Sequence, residues 1–484
     1  MSKTILTAAA ALLTAAATHA GEWTYDPPNS RITHADTRWT LRVTADGTGL
    51  TVTGVAAEPR APDTSPSDFF ANLPAPVLLP LDDAVSGGAF RITAIGSMAF
   101  SCCHRLADVT IPATVTSIGT QPFDLCGRLT NITVAADNPA YRSADGVLFS
   151  KDGELIQFPP GKSSCDIPDG TTRIGDHMFM HHFKLTSVTI PDSVTSIGNY
   201  AFAFCGGLTA MTIPSGVTEI GWDAFASCHG ITGISVAEAN PAYRSIDGVV
   251  FSKDGKQLAL YPAGKTGAYD IPPGTATIKA GVFAHCHDLP NVTIPASVTN
   301  IGDSTFYVSR PLTNITVAAD NPAYRSTGGV LFNKSGSLLI QYPYEKAGAY
   351  AIPAGTTAIG DSAFSACHRL TGVTIPAGVT SIGGNAFTNC KGLTDLTIPA
   401  SVTRFGSHTF GHCDGLTNVT FEGECPAITG HDKDEVFYGF TTNATLYVRN
   451  AHAANWSKNV TGSLADGTAV WKGRPVRVLP PAGE

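Results

Sequence analysis

Apolar residues recur along most of the chain at an interval too long for a single helix or strand. The pair Ile-Pro stands at Ile111-Pro112, Ile190-Pro191, Ile213-Pro214, Ile294-Pro295, Ile375-Pro376 and Ile398-Pro399, and again at Ile167-Pro168, Ile271-Pro272 and Ile352-Pro353. The steps 167 to 190 to 213, 271 to 294, and 352 to 375 to 398 are 23 residues each. Seven residues after an anchor come Ile118-Gly119, Ile197-Gly198, Ile220-Gly221, Ile301-Gly302 or Ile382-Gly383. Five residues beyond that Ile stands a Phe, in the series Phe100, Phe123, Phe179, Phe202, Phe225, Phe283, Phe306, Phe364, Phe387 and Phe410. Self-similarity at such a period is the mark of stacked structural repeats.

Residues 185–207 show one turn of the stack. Leu185, Val188 and Ile190 read as the inward positions of a short strand, while Val194, Ile197, Phe202 and Cys205 fill the rest of the cross-section. Pro191 ends the strand where a missing N–H costs least, and Gly198 is expected to permit a sharp corner. A single turn leaves apolar edges bare above and below, so only stacking completes the core. The expected fold is a β-rich solenoid with a parallel sheet on one face, roughly 13 turns spaced by about 4.8 Å.

Three longer segments break the rhythm: residues 138–153, 240–255 and 321–336. In each, an apolar run (Val147 to Phe149, Val249 to Phe251, Val330 to Phe332) precedes a turn of the type Ser-Lys-Asp-Gly or Asn-Lys-Ser-Gly and a second apolar run. That arrangement predicts a β-hairpin, set inside an enlarged turn without breaking the stack. The ends look different. Residues 1–20 carry one Lys, an apolar run from Ile5 to Ala17 and Thr18-His19-Ala20, the pattern of a secretory signal peptide cut after Ala20. Residues 21–85, with Trp23, Tyr25 and Trp39, read as a β-type N-terminal cap followed by a Pro-rich linker from Glu58 to Pro80. Residues 86–424 are the solenoid, and residues 425–484, with the run Ala444 to Val448, Trp456 and Val470-Trp471, are expected to cap its other end.

The consensus Leu-Thr-x-Val-Thr-Ile-Pro-x-x-Val-Thr-x-Ile-Gly-x-x-Ala-Phe-x-x-Cys resembles the BspA-like leucine-rich repeat family of surface and secreted proteins. The inserts Asn-Pro-Ala-Tyr-Arg-Ser-x-Asp-Gly-Val-Leu-Phe are similar to those of the same family. The resemblance spans about residues 86–424 and implies a leucine-rich repeat solenoid with a role in binding or adhesion. Departures from it are Ile278-Lys279, Phe405-Gly406, and His182 and Ser309 in place of the expected Cys.

Composition fits such a stack. The chain of 484 residues is 43% apolar but only 14% charged, with 49 Gly and 32 Pro, because most positions of each turn are core, corner or a Thr ladder. Its formal charge of −8 argues against a nucleic-acid binder or a polybasic membrane-surface protein. After cleavage of the leader, no apolar run is long enough for a transmembrane segment. The mature chain is thus expected to be secreted, periplasmic or at the cell surface.

Eight of eleven Cys hold one repeat position: Cys103, Cys126, Cys205, Cys228, Cys286, Cys367, Cys390 and Cys413. Stacked in register their Cβ vectors run parallel, which suits a disulfide poorly, so they read as small buried hydrophobes. Cys102, Cys165 and Cys425 fall off this frame and read as the reactive or paired thiols. His104, His229, His287 and His368 directly follow ladder Cys, but adjacent residues should point to opposite sides, so no metal site is expected. There is no nucleophile elbow, P-loop or dinucleotide fingerprint, and no cofactor is called for. The chain reads as a non-enzyme.

Two surfaces remain as binding candidates. Residues before the anchors, among them Thr189, Thr212, Thr293, Thr316, Thr374 and Thr397, should face solvent by period-two alternation. They form either a packing ladder of β-branched residues or a flat polar binding face. In the inserts, Tyr141-Arg142, Tyr243-Arg244 and Tyr324-Arg325 recur at one place, either as interface anchors or with Tyr packing the hairpin base and Arg solvated. The expected partner is an extracellular protein or glycan, with self-association also open. The rivals are a structural envelope protein without a ligand, and a carbohydrate-acting enzyme using Asp432, Asp434 and Glu435 in an end domain.

Overall fold

The computed structural model describes residues 91–104, 106–429, 436–439 and 444–479, and the backbone of the strands Trp23–Asp26, Arg31–His34, Thr40–Asp46, Gly49–Ala56 and Val77–Pro80. The leader lies outside the described residues. Two compact units, Met1–Ala242 and Tyr243–Glu484, are each a β-solenoid, and together they hold about 15 turns of roughly 23 residues.

Each turn has three sides. In the first unit, the first side carries the strands Leu106–Ile111 and Asn131–Val134, then Ser164–Asp166 with Ser187–Thr189, and Met211–Ile213 with Ile234–Val236, all parallel. Pairing is offset by one repeat, Val109 opposite Ile132 and Met211 opposite Ile234. The second side is a ladder of two-residue strands, Arg173–Ile174, Ser196–Ile197 and Glu219–Ile220. The second unit repeats both ladders, for instance Asn291–Ile294 with Asn314–Val317 and Ser381–Ile382 with Arg404–Phe405. The corner glycine works differently from expectation. A Cβ on Gly198 would lie 2.6 Å from the Asp176 nitrogen of the preceding turn, so Gly is required by inter-turn approach and not by backbone handedness.

The third side holds the Phe series. Phe179, Phe202 and Phe225 stack at centroid spacings of 4.8 and 5.2 Å with ring planes within 5°, and Phe364, Phe387 and Phe410 stack in the second unit at 4.9 and 5.7 Å with planes 7° and 14° apart. Around each Phe the chain places two residues at positive φ, non-glycine in every turn but that of Phe283, such as Tyr200 (53°) and Phe204 (62°), each non-glycine one costing on the order of 1 kcal/mol. Inter-turn hydrogen bonds offset that cost: the amides of Tyr200, Phe202 and Phe204 donate to the carbonyls of Trp222, Ala224 and Ala226 at 3.0, 2.7 and 2.8 Å.

The Cys ladder is buried and unpaired, but it does more than fill space. Five of the eight thiols donate to the carbonyl of the Phe one turn back: Cys126 to Phe100 at 3.1 Å, Cys205 to Phe179 at 2.9 Å, Cys228 to Phe202 at 3.0 Å, Cys390 to Phe364 at 3.0 Å and Cys413 to Phe387 at 2.8 Å. Both departures from Cys keep a donor there. The Ser309 hydroxyl donates to the Phe283 carbonyl, and His182 Nε2 lies 2.9 Å from the Phe158 carbonyl.

The inserts contain more structure than a hairpin. Each is a three-stranded antiparallel meander: Tyr141–Ala144, Val147–Ser150 and Leu155–Gln157 in the first unit. In the second unit the strands are Tyr243–Ile246, Val249–Ser252 and Gln257–Leu260, then Tyr324–Thr327, Val330–Asn333 and Leu338–Gln341. The extra strand follows from the Asp-Gly pair after Tyr-Arg-Ser-Ala, since Asp145 and Gly146 both have positive φ (48° and 75°), as a two-residue hairpin turn needs. The expectation of an unbroken stack is corrected on the first side. There Ile132 donates to the Gly146 carbonyl at 2.9 Å, so the insert takes the place of the next strand and the sheet resumes at Ser164–Asp166. On the second side the ladder continues, with Leu258 opposite Ile278 and Leu339 opposite Ile359.

A buried Asn precedes each insert and ties the chain there to the turn before it. Asn138 Nδ2 donates to the carbonyls of Pro112 (2.7 Å) and Val115 (2.9 Å), while its Oδ1 accepts from the amides of Ala140 and Tyr141. Asn240 and Asn321 reach the equivalent carbonyls, Pro214 and Val217, and Pro295 and Val298.

At the N-terminal end, antiparallel strands lead to Gly49–Ala56, which joins Arg91–Ile95 in parallel. Val77–Pro80, expected to be linker, is a strand paired with Leu106–Ile111. At the other end Thr445–Arg449 and Arg474–Leu479 extend the first-side sheet in parallel. Phe421, Trp456 and Trp471 close the core there, with Trp456 Nε1 donating to the Gly423 carbonyl at 3.1 Å.

Substitutions at two positions check these roles by urea unfolding. Asn138→Ala should lose about 3 kcal/mol, since buried carbonyls and amides lose partners together. Ser309→Cys should be within about 0.5 kcal/mol of the parent, whereas Ser309→Val should cost about 1–2 kcal/mol.

Candidate functional site

Threonines at two repeat positions differ in what their hydroxyls do. Beside the second-side strands they bond to the preceding turn, as Thr195 does to the Thr172 carbonyl at 3.1 Å and Thr380 to the Thr357 carbonyl at 3.3 Å. On the first side, Thr189, Thr212, Thr316, Thr374 and Thr397 are exposed and Thr293 is half-buried, all facing outward as alternation requires. The Thr316 hydroxyl accepts from Asn314 Nδ2 at 2.9 Å, while those of Thr189, Thr212, Thr374 and Thr397 have no hydrogen bond among the described residues.

The Tyr-Arg pairs are built into the inserts. The Tyr141 hydroxyl accepts from the Ile118 amide at 3.0 Å, and that of Tyr324 from the Ile301 amide at 3.1 Å. Each thus replaces the carbonyl that the next second-side strand would have supplied. Tyr243 is half-buried on the equivalent strand. Arg142 lies with its guanidinium 4.8 Å above the Phe149 ring of its own meander. Arg244 and Arg325 lie across Gly255 and Gly336, where a Cβ would sit 2.0 and 1.8 Å from the guanidinium. Arg142 and Arg244 are exposed and Arg325 is half-buried.

A third surface went unseen in the sequence. In the first unit the positive-φ positions carry His177, His181, Tyr200 and Phe204, with Phe183 and Trp222 beside them, 56% and 44% exposed. His177 stacks on Tyr200 at 5.3 Å, Tyr200 meets Trp222 edge to face at 5.0 Å, and His181 contacts Phe204 and Phe183 at 5.0 and 5.8 Å. His181 Nδ1 is anchored 3.1 Å from Oδ1 of the buried Asp124. Burial, with Asp223 nearby, pushes the Tyr200 phenol up. The repeat is its own control. At Trp222's position other turns carry Ser97, Thr120, Asp176, Asn199, Asp361 and Gly384, and at Tyr200's they carry Ser304, Ser362 and Asn385. The solenoid therefore needs no large ring at these places. Aligning the turns column by column and looking for outliers would have found the ridge; searching for repeated residues hid it.

Thiol chemistry narrows to one residue. Cys165, expected to be reactive, lies on the first-side strand opposite Val188, one repeat before it and so in register after all. Burial pushes its thiol up to about 12, and that of Cys425 likewise; Cys102 is exposed. Asp432, Asp434 and Glu435 lie outside the described residues. Among the described residues no cluster of His, Cys, Asp or Glu is placed to hold a metal, and no helix is long and apolar enough to cross a membrane.

Residues 89–155, 162–258, 256–339 and 342–444 match the BspA type leucine rich repeat region, in six copies. Among solved structures, a leucine rich cell surface protein from Faecalibacterium prausnitzii is 25% identical over 78% of this chain and 95% of its own, with a TM-score of 0.45. A leucine-rich repeat protein from Eubacterium ventriosum is 24% identical over 64% and 77%, with a TM-score of 0.41. The pneumococcal vaccine antigen PcpA is 17% identical over 93% and 99%, with a TM-score of 0.37. No curated protein matches the chain.

The thiolate is the reacting form, so native protein at pH 8 should take up iodoacetamide first at Cys102. Cys165 and Cys425, mostly protonated at that pH, should lag by about 100-fold or more, as peptide mass mapping would show.

Proposed function

Because the chain belongs to the BspA type leucine rich repeat family, and a fold of this kind hosts function only through what its surface adds, we propose that it is an exported binding protein. Its partner is an extracellular protein or a glycan, held at the cell surface or in the medium. The leader-like pattern of residues 1–20 supports export. The observation that carries the binding reading is the aromatic ridge of the first unit. Exposing Trp222 and Phe183 to water is unfavourable, and the other turns show that the fold does not require it. Large aromatic groups in such settings are typical contact anchors.

The outward threonines form a second contact surface in this reading, favoured by the hydroxyls of Thr189, Thr212, Thr374 and Thr397 having no hydrogen bond among the described residues. Repetition of weak contacts along that face would add avidity. The Tyr-Arg pairs of the inserts contribute less, since the hydroxyls of Tyr141 and Tyr324 are already committed.

Arrays of glycans and extracellular-matrix proteins probed with residues 21–484 provide the test. Trp222→Ala and Phe183→Ala should each weaken binding to the positive spots about tenfold or more while leaving the thermal transition within about 2 °C. Absence of binding to every array, together with tight self-association, would instead favour a structural envelope role. An activity on carbohydrate abolished by changes at Asp432, Asp434 and Glu435 would favour an enzyme.

A further inference from the structure

The residue after the buried donor position of each turn projects outward on the third side. In the second unit this column reads His287 after Cys286, Arg310 after Ser309, His368 after Cys367 and Lys391 after Cys390, and ends on an acid, Asp414 after Cys413. The same column in the first unit, His104, Gly127, Phe183, Gly206 and His229, holds no Lys or Arg. The basic column belongs to the second unit and is not demanded by the repeat.

Its members are in electrical contact. Arg310 opposes protonation of both His287 and His368, and Lys391 opposes that of His368. The meander at 324–341 is followed by a segment that docks into the column, where the Glu345 amide donates to the Leu312 carbonyl at 2.9 Å. That segment puts the buried Tyr344 ring beneath the cations. The Arg310 guanidinium lies 5.2 Å over the ring and donates to its hydroxyl at 2.8 and 3.2 Å, and His368 meets the same ring at 5.4 Å. Arg369 adds a further charge, 62% exposed and only loosely paired with Glu345 at 3.6 Å. Arg310 is thus oriented by a neutral partner, with the Glu345 carboxylate acting on the same ring.

We propose that this column is a binding site for a linear polyanionic polysaccharide, whose sulfate or carboxylate groups bridge Arg310 and Lys391 and which is held more tightly as His287 and His368 protonate. Arg is suited to planar oxyanions, and repeated weak contacts along a chain-like ligand add. A nucleic acid fits less well. The one ring under the cations, Tyr344, is buried and cannot stack with a base, and the whole chain carries −8.

The pH dependence follows from the groups around each imidazole. Burial and Arg310 hold His287 below the usual histidine range, with Asp288 acting the other way. Burial, and after it the nearby His287, hold His285 down as well. Burial, Arg310 and Lys391 hold His368 down, against Glu345 and the Asn389 carbonyl. Both rings are therefore neutral at pH 7.5. An anion favours the protonated forms, so binding takes up protons and tightens as pH falls.

Dextran sulfate, polyglucuronate, neutral dextran and single-stranded DNA, each titrated into residues 21–484 at low salt, decide the matter. Dextran sulfate, polyglucuronate or both should bind about tenfold more tightly at pH 5.5 than at pH 7.5 and weaken steeply with salt, with neutral dextran silent at this site. Lys391→Gln, an exposed change that leaves the core alone, should reduce that affinity several-fold, and Arg310→Gln more. The pair His287→Gln and His368→Gln should flatten the pH dependence while leaving weak binding at pH 7.5. Trp222→Ala should change none of this, which separates failure of the ridge from failure of the column. No polyanion binding at either pH, binding indifferent to Lys391 and to the histidine pair, or tighter binding of DNA than of either polysaccharide would overturn the proposal.

Discussion

A translation of 23 residues is the constraint on which everything else in this protein depends. Each turn finds its hydrogen-bond partners in the turn before or after it, as when the Gly198 amide meets the Ile174 carbonyl at 2.9 Å and the Thr195 amide the Thr172 carbonyl at 2.8 Å. Buried backbone groups must be paired, and a solenoid pairs them by repetition. Residue types then follow. Gly stands where a Cβ would strike the preceding turn, Phe where rings stack, and a donor, whether Cys, Ser or His, where the Phe carbonyl has a second lone pair to fill. The same logic accounts for the left-handed residues of the third side, whose strain is distributed through every turn and held by inter-turn bonds.

Departures from the translation are where the molecule acquires individuality. The meanders at 141–157 and 324–341 end the first-side sheet and use a buried Asn and a tyrosine hydroxyl to satisfy the groups they orphan, while in the second unit the third strand of a meander carries the second-side ladder onward. The end of the stack solves the same difficulty with Trp456, Trp471 and Phe421, and with the bidentate pair of Arg449 and Glu422 at 2.8 and 2.7 Å. Positions that the repeat leaves unconstrained are then free to vary. Aromatic rings collect on three turns of the first unit and cations in one column of the second.

Most of the fold was legible from residue spacing, because an obligatory 23-residue period leaves its mark on every buried position. What spacing misread was physical role. Gly198 reads as a corner residue and is in fact a contact residue; the Cys ladder reads as filler and is a donor ladder; Cys165 reads as off-frame and lies opposite Val188. Tyr141 and Tyr324 drew attention as recognition residues because they recur. Recurrence here marks what the scaffold needs, since a hydroxyl that replaces a strand carbonyl must appear wherever a meander interrupts the sheet.

By itself the sequence determined the repeat, the parallel β-solenoid, the identity of the core and the outward placement of the first-side threonines, since each follows from the alternation and period of apolar residues. Only the tertiary structure decided which polar side chains are consumed by the fold and which are left for a ligand. That distinction depends on groups 20 to 60 residues apart, such as His181 with Asp124 or Arg310 with Tyr344, meeting across turns. No local pattern encodes such meetings, because the solenoid brings residues together by stacking and not by proximity along the chain.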